Sequence, residues 1–459
     1  MKENYNTSRS ERFSYCIYFA GQNILWAYAG LVSTYLLDIG LDAKVASAIL
    51  LGPKIWDAVN DTLFGLIVDK TRFKNKQKFI PWIKIGTALI GVVTILMFAI
   101  PKSLSNPSMK IAWFLVAYIL FDAAYTMLDA PVYALPTAMT TNIQERTDLI
   151  SSNRFGGILG GAIGTILIPI IRPKTGWLLG AIIFCAFGTA FMLPLLFTGK
   201  ERNAEKIENE KEYTIGEMFS YVKTNKYLII TLLLYFIIGV CSIETTLSLV
   251  MARNCFGDEA KASLLTLFGG LPILFISLLV PVLSKKIDKV VLLTIALVTG
   301  FVGALACYFV GYHNYGLYIA FSAIKSFGAG FFMVISYMMI ADSVEYGTYK
   351  SGVRMPGISF ALQTFTSKLK NAIVGSVALL ALGMFGYDST IAETAIQAQP
   401  VIDGIWKVYN LMPAAGYIVS ALLLILFYKM RDKEVEAMAR YNNGEITREE
   451  AEKQLGNRL

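Results

Sequence analysis

The chain has 459 residues, of which 55% are hydrophobic and 16% charged, and its mean hydropathy is +0.54. A soluble core does not need that much apolar surface, so a cytosolic globular protein is excluded and a membrane protein is expected. The formal charge of +8 has no basic soluble domain to rest on, which excludes nucleic acid as a partner and leaves it as an orientation signal.

Apolar stretches long enough to cross a bilayer, about 20 residues each, fall at 13–37, 44–68, 81–100, 111–139, 151–171, 176–198, 227–251, 261–283, 290–311, 315–341, 357–386 and 405–428. Twelve spans in two sets of six predict an all-α membrane protein with a six-helix bundle over 1–198, a linker over 199–225, a second six-helix bundle over 226–429 and a tail over 430–459. The first run follows a short polar leader and has no small-residue cleavage site, so it is expected to stay as helix one. Basic residues gather in alternate loops: Lys70, Arg72, Lys74, Lys76 and Lys78 follow span two, and Lys285, Lys286 and Lys289 follow span eight. The opposite loops, Ser103–Pro107 and His313–Tyr315, are nearly free of Lys and Arg, which puts both termini, the linker and the tail in the cytoplasm.

The linker mixes Glu201, Glu205, Lys206, Glu208, Lys211 and Glu217 and reads as partly helical. The tail reads as two short helices near 434–440 and 447–452, the second with a capping-box start at Thr447. A tail this short holds no catalytic domain. The five cysteines lack metal or redox spacing and read as packing filler. His313, the one histidine, lies in an outward loop, so any proton coupling must run through carboxylates.

Span two carries Asp57 and Asp61, four residues apart on one helix face in an otherwise apolar stretch. Burying one acid at membrane depth costs roughly 2.5–3.5 kcal/mol, and two repel each other, so a cation is expected between them. Lys54 can satisfy at most one of the two. On span four, Tyr125, Asp129 and Tyr133 recur every four residues, with Asp122 further back on the same face. A carboxylate flanked by aromatic rings suits a sugar, whose hydroxyls donate to the acid while its ring face stacks. Pro131 and Pro136 can bend this helix where it lines a cavity. Arg154 opens span five ahead of Gly156, Gly157, Gly160, Gly161 and Gly164, a small-residue face for close helix approach. Thr364 and Lys368 share a face of span eleven, and Glu244 is a further acid at membrane depth, paired with Lys325 or Lys368 or touching substrate.

Two six-helix halves around a central loop resemble the major facilitator fold, and Gly65–Lys70 resembles that superfamily's cytoplasmic loop motif. Five segments are similar to the glycoside–pentoside–hexuronide:cation symporters, the melibiose permease family: Lys54–Asp61, Tyr125–Pro131, Asn153–Phe155, Ala341–Lys350, and Gln363-Thr364 followed by Lys368. The resemblance covers all but the two tails. It implies a secondary transporter in the cell membrane, by kinship a bacterial inner membrane, that carries a glycoside inward with Na+, Li+ or H+ by alternating access, as a monomer, with no cofactor and no enzymatic activity.

The resemblance assigns Asp57, Asn60, Asp61 and Thr126 to the cation, with Na+ at Asp57 and Asp61. It assigns Asp129 and Arg154 to the sugar, with Thr364 and Lys368 beside it and Tyr133 in place of the family's Trp; the spacing on span four adds Tyr125 as a second aromatic wall. Where the family has Lys-Asp, this chain has Gln22-Asn23. Asn23 can still bond a hydroxyl, but α-galactoside specificity is not expected to carry over. Loop positions and likeness together suggest a cytoplasmic gate of Arg146 against Asp342, Glu345 and Arg354, with Arg154 on the side of Arg146. The rival readings are a cation-coupled lysolipid transporter, which would want a long apolar cleft, a non-transporting membrane sensor, and a membrane enzyme, for which no motif is present.

Overall fold

The computed structural model describes residues 6–71, 73, 77–101, 103–140, 142–202, 215–392 and 395–455. Within helices, the side chains of 54–55, 57–59, 61–63, 65–70, 143–144, 147, 215–219, 274, 277–278 and 281 stand outside that description. Among the described residues all regular structure is helical: α1 (Arg9–Ala29), α2 (Val32–Asp38), α3 (Ala43–Lys70), α4 (Ile80–Met97), α5 (Pro107–Met139), α6 (Ile143–Thr198), α7 (Ile215–Thr224), α8 (Lys226–Cys241), α9 (Glu244–Phe256), α10 (Lys261–Leu283), α11 (Lys289–Val310), α12 (Tyr315–Ser351), α13 (Pro356–Met384), α14 (Gln399–Phe427), α15 (Asp432–Asn442) and α16 (Arg448–Leu455). Among the described residues, eight helical segments are long and apolar enough to cross a membrane. The 56 residues of α6 would extend about 84 Å, far beyond a bilayer core of about 30 Å, and the chain breaks that run at Gly176, whose φ of +73° suits a residue without a Cβ.

The chain packs as two compact units. Unit 1 comprises Met1–Glu210, Asp258–Ser263 and Tyr387–Gln397, and unit 2 comprises Lys211–Gly257, Leu264–Gly386 and Ala398–Leu459. In unit 1, α1 lies backbone to backbone against α6. A Cβ on Gly156 or Gly160 would sit 2.0 Å from the carbonyl oxygen of Cys16 or Ala20, and one on Gly21 would sit 2.2 Å from that of Gly188. The small-residue face of α6 therefore has α1 as its partner.

Side chains distant in sequence sew the helix ends of unit 1. Ser8 and Glu11 form a reciprocal capping box at the start of α1, and Arg202 binds both oxygens of Glu11 at 2.9 and 3.0 Å. Glu201 accepts the backbone N–H groups of Lys78, Phe79 and Ile80 at 2.7, 2.9 and 2.6 Å, so a residue beyond α6 caps α4. Glu145 accepts from the Thr7 and Asn6 backbones and from the Thr140 hydroxyl. Burial alone would raise the Glu11 and Glu145 carboxyls. The donors around them, Arg202 and Ser8 for Glu11, Thr140 and Thr7 for Glu145, outweigh it and hold both below the usual 4.5.

At the other ends of these helices, Arg172 is buried among acids. Its Nη1 donates to both oxygens of Glu259 at 2.8 and 2.9 Å, its Nη2 pairs with Asp38, and its guanidinium lies 4.0 Å from the centre of the Trp177 ring. Trp177 Nε1 also donates to Asp38, at 3.1 Å. Ser263 Oγ donates to the Ile166 carbonyl at 2.6 Å, so the Asp258–Ser263 segment is held at both of its ends.

Unit 2 has its own core, in which Tyr227, Leu293, Ile335 and Leu424 from four long helices meet Met438 and Ala451 of the tail helices. The capping bonds between Thr447 and Glu450 start α16. Ion pairs fix the tail: Arg431 to Asp288 at 3.2 Å and Asp432 to Lys289 at 3.3 Å.

Candidate functional site

Helix α5 carries two polar nodes one turn apart. In the first, the buried Asn60 of α3 donates from Nδ2 to Thr126 Oγ1 at 2.9 Å and to Asp122 Oδ2 at 3.2 Å, and Thr126 Oγ1 donates to the Asp122 carbonyl at 3.0 Å. In the second, Gln22 of α1 donates from Nε2 to Asp129 Oδ1 at 2.5 Å and to Tyr125 OH at 3.1 Å. Thr126 and Asp129 are three residues apart, so both nodes lie on neighbouring turns of one helix.

Rings border the second node. Trp26, 42% exposed, lies 4.8 Å from Tyr125, and the half-exposed Tyr133 meets Phe19 edge-on at 5.0 Å. Gln22 is buried, and its Oε1 has no hydrogen-bond partner among the described residues. A buried acceptor beside a carboxylate and next to exposed aromatic faces is what a hydroxyl donor would satisfy. The first node offers hard oxygen atoms from a carboxylate, an amide and a hydroxyl, the donor set of a small hard cation. Asp57 and Asp61 lie on α3, but their side chains fall outside the described residues.

The remaining expected residues divide between the units. Asn23 turns back, donating from Nδ2 to the Phe19 carbonyl at 2.9 Å, and lies against Gly157 of α6. Arg154 is exposed on α6, just before the seam with α1 begins. In unit 2, Thr364 and Lys368 are exposed one turn apart on α13, with Thr364 Oγ1 donating to the Phe360 carbonyl at 3.1 Å. Lys370 points elsewhere, its Nζ 4.5 Å from the Tyr235 ring and its stem against Gly239. Of the gate residues, Arg146 in unit 1 donates to the Thr140 carbonyl at 3.1 Å. Asp342 pairs with Lys289 at 2.7 Å, and Glu345 pairs with Arg354 at 2.6 Å and accepts from Asn442, all within unit 2. Glu244 pairs with Lys325 at 3.4 Å.

Sequence reasoning did not assign three residues that stand in or beside the two nodes. It assigned Asn23 to the sugar; Gln22 is the α1 residue that reaches Asp129. It placed Asp122 on the aromatic face of α5, whereas its carboxylate joins Asn60. It passed over Trp26, although Gln22 and Trp26 are four residues apart on one face of α1, a spacing visible in the sequence.

Residues 16–432 match the family described as MFS/sugar transport protein. An uncharacterized symporter of Bacillus subtilis (strain 168) is 29% identical over 428 residues, covering 89% of this chain and 90% of that one. The isoprimeverose transporter of Lactiplantibacillus pentosus is 27% identical over 450 residues, covering 94% and 90%. Among solved structures, the nucleoside transporter NupG superposes with a TM-score of 0.66 at 14% identity, over 92% of this chain and 99% of that one, which shows the fold.

Proposed function

Because the chain belongs to the MFS/sugar transport protein family, we propose that this multi-pass membrane transporter, which is not an enzyme, carries a glycoside into the cell together with a monovalent cation, Na+ or else Li+ or H+. The observation that carries this reading is the sharing of α5 by the Asn60–Thr126–Asp122 node and the Gln22–Asp129–Tyr125 node. A cation drawn to Asp57 and Asp61 would be completed by Asn60 and Thr126. Its charge would relieve the repulsion between the two acids and pull α3 toward α5. One turn along, that displacement orients Asp129 and Gln22 for sugar hydroxyls, so each ligand raises affinity for the other.

Arg154, Thr364 and Lys368 are proposed to add donors to the sugar, and Tyr125 and Tyr133 to stack on it, with Asn23 at its edge. Splitting α6 at Gly176 and counting α1, α3 and α10 with the eight segments gives twelve candidate spans, which supports the twelve-span reading; the termini are proposed to be cytoplasmic and transport to proceed by alternating access. Arg146, Asp342, Glu345 and Arg354 are proposed as a cytoplasmic gate, and the working unit as a monomer.

The test is uptake of labelled glycosides, pentosides and hexuronides into vesicles containing the protein, under an imposed sodium gradient or a proton gradient alone. Uphill uptake of one sugar under either gradient is the expected result and names the coupling ion. Absence of gradient-driven uptake for every sugar would overturn the symport reading.

A further inference from the structure

We propose that Glu244 in unit 2 is a hydroxyl-accepting carboxylate for the carried sugar and makes the protein select neutral glycosides against anionic sugars, an assignment that rests on the symport reading above. Glu244 stands where an apolar helical stretch is interrupted. α8 ends at Cys241, Ser242 Oγ folds onto the Ile238 carbonyl at 2.7 Å, and α9 begins at Glu244. Glu244 is twelve residues from the end of α9 at Phe256 and Lys325 ten from the start of α12 at Tyr315, about 18 and 15 Å of helix. The Phe256 and Tyr315 rings meet at 4.8 Å, so acid and base reach the same depth.

The pair is asymmetric. Lys325 is enclosed: a Cβ on Gly303 of α11 would sit 2.5 Å from its backbone nitrogen, and its Nζ lies 5.3 Å from the Tyr409 ring centre. Its side chain is 9% exposed, whereas that of Glu244 is 24% exposed. The contact itself is one-sided, a single 3.4 Å approach to Oε1, longer than an ordinary charge-assisted hydrogen bond. An ionised carboxylate has about four acceptor positions, and none of those on Glu244 receives a hydrogen bond among the described residues. The Lys325 charge thus offsets the cost of placing an acid at this depth, while the acceptors stay open.

Such a group binds a donor that brings no net charge, such as the hydroxyl of a neutral glycoside. A sugar carboxylate or sulfonate would set acceptors against acceptors and like charge against like. A carboxylate kept only for structure would be saturated from both oxygens, as Glu259 is by Arg172 at 2.8 and 2.9 Å.

The experiment compares the full-length protein in proteoliposomes with Glu244→Gln and with the charge-neutral double variant Glu244→Gln/Lys325→Met, which guards against misfolding caused by an unpaired lysine. Apparent affinities are read for a neutral glycoside and for the matching uronide. Both variants are expected to lose about tenfold or more in affinity for the neutral sugar, and Glu244→Gln to shift preference toward the uronide by about the same factor. A double variant with restored affinity for the neutral sugar would make the pair structural and overturn the assignment. An unchanged uronide-to-neutral ratio in Glu244→Gln would also overturn it. Lack of uptake by the unaltered protein would instead refute the symport reading, and this assignment with it.

Discussion

Among the described residues, the two buried basic side chains, Arg172 and Lys325, form pairings that look alike as a list of partners and differ in how completely the acid is satisfied. In unit 1, Arg172 binds both oxygens of Glu259, reaches Asp38 and lies against the Trp177 ring, so the acid is bonded at both oxygens and the guanidinium at both terminal nitrogens. In unit 2, Lys325 touches one oxygen of Glu244 at 3.4 Å and leaves the rest of that carboxylate accessible. The same contrast separates the helix-end carboxylates of unit 1 from Gln22, whose Oε1 is unmatched beside Asp129. Saturated charge holds the fold, and unsaturated polar capacity marks where a ligand belongs.

The largest effect expected from breaking this contrast is at Arg172. Arg172→Ala leaves Asp38 and Glu259 buried without their cation, at a cost of about 3–5 kcal/mol. A thermal melt in detergent is expected to show a deep fall in midpoint, and a wild-type midpoint would show the cluster to be idle. At the unsaturated end, Asp129→Ala is expected to abolish sugar binding while the melt stays near wild type. Asp61→Cys is expected to spare sugar exchange and remove its dependence on the cation. An Asp61→Cys protein that still needs the cation would remove Asp61 from the cation site.

The saturated class also has a pH signature. Glu11 and Glu145 titrate below their ordinary value of 4.5 in the folded chain. Their stabilisation is therefore complete above about pH 4.5 and is lost as pH falls through the lower folded values. Melts taken from pH 7 to pH 3 are expected to drop in that acid window, with Glu145→Gln lowering the neutral midpoint and flattening the drop. The smallest effect is expected for the stability of the charge-neutral double variant Glu244→Gln/Lys325→Met. It leaves no buried charge unpaired, so stability is expected to change by about 1 kcal/mol at most, against the much larger loss at Arg172.

Hydropathy and the glycine stripe on α6 made the helical membrane architecture legible, because apolar length and small-residue spacing are local properties of the chain. The carboxylate and aromatic spacing on α5 was equally local. What stayed hidden joins distant segments. Gln22 and Asp129 are 107 residues apart and Arg172 and Glu259 are 87 apart, and no periodicity couples such positions. The resemblance points to Asn23 because it stands where the family has Asp, whereas the rotation of α1 about its axis decides which of the two neighbouring amides meets α5. That rotation is set by the backbone contacts of Gly156 and Gly160, whose stripe named a close partner helix without naming its register.

That seam also supplies an internal reporter. Cys16 is half-buried on it, and a Cβ on Gly156 would lie 3.3 Å from its sulfur, so alkylation by a maleimide is expected to be slower while α1 and α6 stay in register than when they part. The alkylation rate of Cys16, followed with and without sugar, therefore serves as a clock for whether these two helices travel as one lever or part during the transport cycle.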